Sequence, residues 1–173
     1  MSETARDRSG HVAPDRRRQA RLAAVQALYQ VELGHLTPRS VVMEFLQHRL
    51  DEDNEGLRLG RIDRSLFGEL VEGVSERRAE LAAMIDGGLD AAWSFDRLET
   101  LLRIILVCGA YELAQRPAVP AQIVMDEYLD LAHAFFDDRE PALVNGVLDR
   151  LARTLRPDEA EGRGQVGAAG AAS

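Results

Sequence analysis

Residues 96–113 read DRLETLLRIILVCGAYEL, and this stretch decides the fold. Leu98, Leu101, Leu102, Ile104, Ile105, Leu106, Val107, Cys108 and Leu113 leave almost no polar side. A helix that is apolar nearly all round must be buried nearly all round. At about 1.5 Å per residue, these positions make a rod of roughly 27 Å, about the width of a small domain. Arg97, Glu99 and Arg103 at one end and Glu112 at the other cut the uncharged run below the roughly 20 residues that a membrane span needs. The stretch is therefore predicted to be the central helix of a bundle.

On its N-terminal side, three helices are expected. Arg16 to Leu33 carries Leu22, Val25, Leu28, Tyr29 and Leu33 at three- and four-residue steps, with Asp15 as a cap and Gly34 as a stop. A second helix starts at Thr37 and Pro38, with Val41, Val42, Phe45, Leu46 and Leu50 inward. DEDNEG, residues 51–56, is a solvated loop. A third helix spans Ile62 to Ile85, where Gly68 and Gly73 allow a neighbour to approach closely. On the C-terminal side, Gln115 to Pro120 is a linker. A helix over 120–136 buries Ile123, Val124, Tyr128, Leu129, Ala132 and Phe135 or Phe136. Pro141 opens the last helix, striped by Leu143, Val144, Val147, Leu148, Leu151 and Leu155. No segment alternates like a strand. The fold class is all-α, a compact bundle of about seven helices. Residues 1–14 are expected to be a disordered basic arm, 15–156 the helical domain and 157–173 a disordered tail.

Net charge over the 173 residues is −8, so the whole chain is no polyelectrolyte partner for nucleic acid. The charge is unevenly placed. Residues 1–21 hold six arginines against three acids, a local +3, which leaves the remainder near −11. This pattern suggests a basic arm on an acidic body. The one cysteine, Cys108, lies in the most apolar segment and reads as a core residue. The start has no apolar stretch like a secretory signal, and a reduced, cytoplasmic setting is expected.

Catalytic constellations are absent from the sequence. His11, His35, His48 and His133 are scattered without ligand spacing, and no HExxH, CxxC, GxGxxG or GxxxxGK[ST] occurs. No enzymatic activity, cofactor or metal is expected, and the chain must be explained by binding.

The start of the first helix supplies a binding signal. Arg16, Arg17, Arg18 and Arg21 oppose the helix dipole there, at roughly 0.3–1 kcal/mol each where exposed. Stability alone does not favour that placement, whereas a phosphate ligand does, because guanidinium forks bind phosphate bidentately. A merely solvated polar start in an Arg-rich chain is the alternative. If four arginines each neutralise a phosphate of single-stranded RNA, log K should fall against log salt with a slope of about −2.8. Gln26 and Tyr29 lie further along the same helix. The residues alone leave Tyr29 open between a core aromatic and a base-stacking one, and place Trp93 in the core.

Taken in order, Arg16-Arg17-Arg18-Gln19-Ala20-Arg21, Val25-Gln26-Ala27-Leu28-Tyr29, Trp93, Asp96-Arg97-Leu98, Tyr111-Glu112-Leu113, Val119-Pro120 and Val144-Asn145-Gly146-Val147-Leu148-Asp149 resemble the NusB family of bacterial transcription antitermination factors. The resemblance covers 15–156, with 34–92 alike only in helical pattern. It implies a non-catalytic, monomeric or homodimeric helical fold. It also implies binding of the single-stranded boxA element of ribosomal RNA leaders together with NusE, a small-subunit ribosomal protein. That pair joins NusA, NusG and RNA polymerase to support rRNA transcription. Carried over, Arg16, Arg17, Arg18, Arg21, Gln26, Tyr29, Leu143 and Asn145 become RNA-binding candidates, and Arg103, Tyr111, Glu112 and Glu127 become NusE-binding candidates. This chain departs from the pattern at Leu143, where Phe is usual, at Leu102 and Val107, where an acid and a base are missing, and at Asp126, where Asn is usual. Gly146, at about 1 kcal/mol against Ala within a helix, suggests a close backbone approach, and Asn145 is open between a structural and an RNA contact. Two other readings compete: a helical scaffold that binds protein only, and a relative of the N-terminal RNA-binding domain of an rRNA cytosine methyltransferase. The second is not expected to transfer methyl groups, because the chain shows no cofactor-binding βα pattern.

Overall fold

The computed structural model describes residues 16–49 and 62–161. The expected arm at 1–14, the DEDNEG loop and the tail beyond 161 lie outside the described residues. Among those described, there are seven α-helices and no strand: α1 Arg16–Gly34, α2 Pro38–Glu44, α3 Arg64–Glu76, α4 Arg78–Gly88, α5 Thr100–Gln115, α6 Ala121–Phe135 and α7 Arg139–Leu155. The all-α fold is as the sequence predicts.

Helix α5 sits at the centre and touches α1, α3, α4, α6 and α7. Every residue from Ile104 to Leu113 is buried. The rod is shorter than expected, because Phe95–Arg97 form a separate 3-10 turn and Leu98 and Glu99 are extended. The Asp86 carboxylate at the end of α4 accepts the Phe95 N–H at 2.7 Å and pins that turn.

The single helix expected over 62–85 is two. Arg77 has φ −102 and ψ 16, outside helical values, and breaks the run without glycine or proline. Gly73 meets the expectation of close approach, since an added Cβ would lie 2.5 Å from the Tyr111 hydroxyl. Gly68 and Gly146 do not, because nothing lies within 4 Å of the Cβ position at either. Cap chemistry is visible where expected: Thr37 Oγ1 accepts the Ser40 N–H ahead of Pro38, and Asp63 accepts the Leu66 N–H at the start of α3.

Several apolar residues expected inside are at the surface. Trp93, Leu33, Ile123 and Leu155 are exposed, and of Phe135 and Phe136 it is Phe136 that packs against the core. Leu33 lies near the end of α1 and Trp93 in the turn after α4.

The chain also stays helical past its expected end, over 157–161. The buried Arg156 explains this. Its guanidinium donates to the carbonyls of Leu113, Glu112 and Arg116 at 3.0, 3.1 and 2.9 Å, and to that of Val119. These are the carbonyls around the end of α5, which no helical N–H fully satisfies. Glu159 pairs with Arg156 and accepts the Ala121 N–H at 2.8 Å, at the start of α6.

Candidate nucleic-acid interface

Arg16, Arg17 and Arg18 are exposed at the start of α1, whose first turn has no acid. The Arg16 carbonyl accepts the Asp63 N–H at 3.1 Å, which fixes this end against the segment leading into α3.

Arg18 and Arg21 turn toward α5 and α6. Arg18 forks onto both oxygens of Glu127 at 3.2 Å and reaches Asp130 at 2.6 Å. Arg21 is 2% exposed. It bonds the fully buried Glu112 bidentately at 2.8 and 2.9 Å. The Tyr128 hydroxyl donates to the same carboxylate at 2.5 Å. Glu127 lies 3.7 Å from Arg21 and bridges the two arginines. Hydrogen bonding to Glu127 holds the Arg18 guanidinium above its usual value. Burial works against the Arg21 cation, but the Glu112 fork outweighs it and the net shift is upward. Burial and the Glu112 carboxylate push the Tyr128 hydroxyl well up, so it stays a donor.

Arg21 and Glu112 are buried internal partners that join α1 to α5. The polar groups of α1, α5 and α6 meet because a carboxylate buried in α5 needs a cation and hydrogen bonds to be tolerated there. Gln26 is half-buried and Tyr29 exposed. Arg18 and Tyr29 are eleven residues apart, so they fall on about the same face of α1, roughly 16 Å from each other.

Leu143 and Asn145 lie on α7. Asn145 is exposed. Leu143 helps to line a cavity of about 390 Å³ with Trp93, Arg97, Leu102 and Arg139. The Arg139 guanidinium stands 5.0 Å over the Trp93 ring.

The remaining partner-binding candidates are engaged within the chain. Arg103 bonds Glu32 at 3.1 Å and lies 5.9 Å over the Phe95 ring, beside Arg78, which also bonds Glu32. Tyr111 is buried and donates to Glu69 at 3.3 Å. Tyr111, like Glu112, is buried in the core. Exposed apolar surface lies instead at the α1–α2 corner, at Tyr29, Leu33, Leu36 and Met43. Sequence reasoning missed Asp130, Arg139 and Arg156. Asp130 had a signal, since it follows Glu127 by three residues and shares its helix face. Arg139 had none, lying 46 residues from the ring it covers. Among the described residues, no three His, Cys, Asp or Glu side chains gather to hold a metal, and no helix is long and apolar enough to cross a membrane.

The NusB family model matches residues 18–153, from the Arg18 anchor to the last turn of α7. The chain belongs to the NusB family. Its relatives include a transcription antitermination protein NusB of Maricaulis maris, 45% identical over 83% of this chain and 89% of that protein. A NusB of Rhizobium rhizogenes is 41% identical over 90% of this chain and 97% of its own length. These NusB relatives are named as transcription factors, and none of the two as an enzyme. A NusB structure from T. maritima superposes with a TM-score of 0.69 at 25% identity, over 87% of this chain and 99% of that one. The NusB fold recurs, at 22% identity and a TM-score of 0.67, in a crystal structure of antitermination factors NusB and NusE in complex with dsRNA. That match covers 82% of this chain and 99% of the other.

Proposed function

We propose that this chain binds the unpaired boxA element of ribosomal RNA leaders jointly with NusE, and in that state joins NusA, NusG and RNA polymerase to sustain rRNA transcription. The observation that carries the reading is the family match over 18–153, which begins at Arg18 in the first turn of α1. Exposed Arg16 and Arg17 offer phosphate contacts, with Arg18 shared between RNA and Glu127. NusE docks on the exposed apolar corner of Tyr29, Leu33 and Leu36. A groove of about 320 Å³ between α1, α2 and α3 opens beside that corner, with Glu32 and Arg78 at its edge. Exposed apolar patches of this kind mark partner surfaces.

The test titrates labelled boxA RNA with the chain alone, with NusE alone and with both. Cooperative binding by the pair supports the reading, and Leu33→Asp should weaken the ternary complex while the circular dichroism stays unchanged. Absence of both binary and ternary RNA binding would overturn it. The protein-only scaffold is then favoured, a reading that the carboxylate pairing of Arg18 and Arg21 already supports.

A further inference from the structure

Arg18 and Arg21 stand three residues apart on one side of α1, yet the fold uses them differently. Arg21 is enclosed by the bundle and committed to Glu112. The Arg18 side chain stays 48% exposed, and both of its carboxylate partners come from α6. Glu127 takes the Arg18 Nε and Nη2 groups on its two oxygens, each at 3.2 Å. Asp130, 57% exposed, takes Nη2 again at 2.6 Å. A guanidinium grips a phosphate in the same fork geometry. The α6 carboxylates therefore fill the place on Arg18 that an RNA phosphate would take.

The contact does little for the fold. An ion pair this open to water adds little stability, and a cation in the first turn of α1 is disfavoured by the helix dipole. The surrounding charge is also unbalanced. Arg18, Arg21 and Arg116 face Glu69, Glu112, Glu127 and Asp130, three cations against four carboxylates. Asp126 adds another exposed acid one turn from Asp130. An anionic strand thus meets excess negative charge on the α6 side of Arg18, and must break an existing fork to use that residue.

We propose that Glu127 and Asp130 form a built-in competitor for RNA, a latch that occupies Arg18 and sets how tightly the chain holds the phosphate backbone. The inference rests on the RNA-binding reading above and names the two residues that weaken that binding. Glu127 is the fixed jaw, since its carboxylate is mostly covered and also stands 3.7 Å from Arg21. Asp130 is the open jaw, on the rim. When RNA displaces them, one carboxylate contact is exchanged for one phosphate contact. Arg18 then adds little to the net release of counterions while the latch is present.

The test follows dye-labelled boxA RNA by anisotropy on the full chain, with and without NusE, from 50 to 300 mM salt. Glu127→Gln with Asp130→Asn keeps the shape of both side chains and leaves Arg21 its Glu112 fork. This double variant should bind about tenfold tighter at low salt, the order of one hydrogen-bonded contact to a charged group. Its slope of log K against log salt should steepen by about 0.7, one further phosphate on a single strand. Arg18→Ala should cost far more affinity in the double variant than in the unaltered chain. Asp130→Asn alone, at an exposed site, should give a smaller gain of the same sign, and it decides the matter should the double variant fail to fold. A gain that survives Arg18→Ala undiminished comes from the general field of α6 and sinks the latch. Unchanged binding in both carboxylate variants sinks it too, and either result leaves the RNA reading standing. No RNA binding by any variant, with and without NusE, overturns both.

Discussion

Arg21 shows how a charged residue changes its meaning once its surroundings are known. In a run of arginines it reads as one more phosphate ligand. In the fold its guanidinium is locked to Glu112, which also carries the Tyr128 hydroxyl. Removing one partner of such a pair strands a buried charge. Arg21→Ala should therefore cost about 3–5 kcal/mol of stability, measured by urea unfolding. Loss of RNA binding in that variant would follow from unfolding and would not identify a contact. The sequence could not disclose the pair, because 91 positions separate its members and each lies among ordinary neighbours. Cys108 was legible by contrast, since its whole environment is local and apolar. Burial and the nearby Glu112 push its thiol up, and the thiolate is the reactive form. Cys108 should resist thiol reagents until the protein unfolds. Cys108 and Tyr128 both have raised values in the folded state, so folding holds both neutral. Their contribution is complete below the pH at which the unfolded chain ionises them, about 8.5 for a thiol and about 10 for a phenol. It is lost progressively above that. Thermal midpoints should fall from about pH 9 upward, and Tyr128→Phe should flatten the fall above pH 10.

At the scale of the element, periodicity was enough where a helix is buried on most sides and not enough where the chain turns. Helices α1, α6 and α7 fall close to their expected spans because their apolar stripes are long. The break at Arg77 was hidden, since the stripe of α3 runs on into α4 without a breaker residue. The glycines divide in the same way, because composition cannot tell space from crowding. Gly73 faces the Tyr111 ring at 2.5–2.6 Å from a hypothetical Cβ, so Gly73→Ala should destabilise by about 1–3 kcal/mol. Gly146 is helical with open space beside it, so Gly146→Ala should stabilise by about 1 kcal/mol. Denaturant midpoints of the two variants, moving in opposite directions, are the check. A destabilised Gly146→Ala would show that the helix needs flexibility there.

For the whole molecule, the contrast between basic start and acidic body survives, but in weaker form. Three of the acids in the body, Glu112, Glu127 and Asp130, are spent on two of the arginines. On the proposed RNA-binding reading, the exposed Arg16 and Arg17 supply most of the electrostatic grip, with Arg18 held in part by Glu127 and Asp130. Two phosphates neutralised on a single strand give a slope of about −1.4 in log K against log salt, half the value for four. Affinity measured from 50 to 300 mM salt should show it, and Arg16→Ala with Arg17→Ala should flatten it toward zero. A slope near −2.8 would mean that Arg18 and Arg21 leave their carboxylates on binding, which for Arg21 requires opening the core. Family and fold were legible from motif order, whereas the division of labour among the arginines depends on distances that no spacing encodes.

The clasp formed by Arg156 reaches furthest beyond its own position. A single guanidinium near the end of the helical domain ties together the corner where α5 gives way to α6, and Glu159 closes that corner from the other side. Both residues lie past the stretch that the family model matches, which stops at 153. A fragment trimmed to the shared stretch would keep the bundle's seven helices almost whole and lose the fastener, removing the guanidinium donors from four backbone oxygens. Protein engineers who cut at the family boundary would be studying a looser molecule than the natural one.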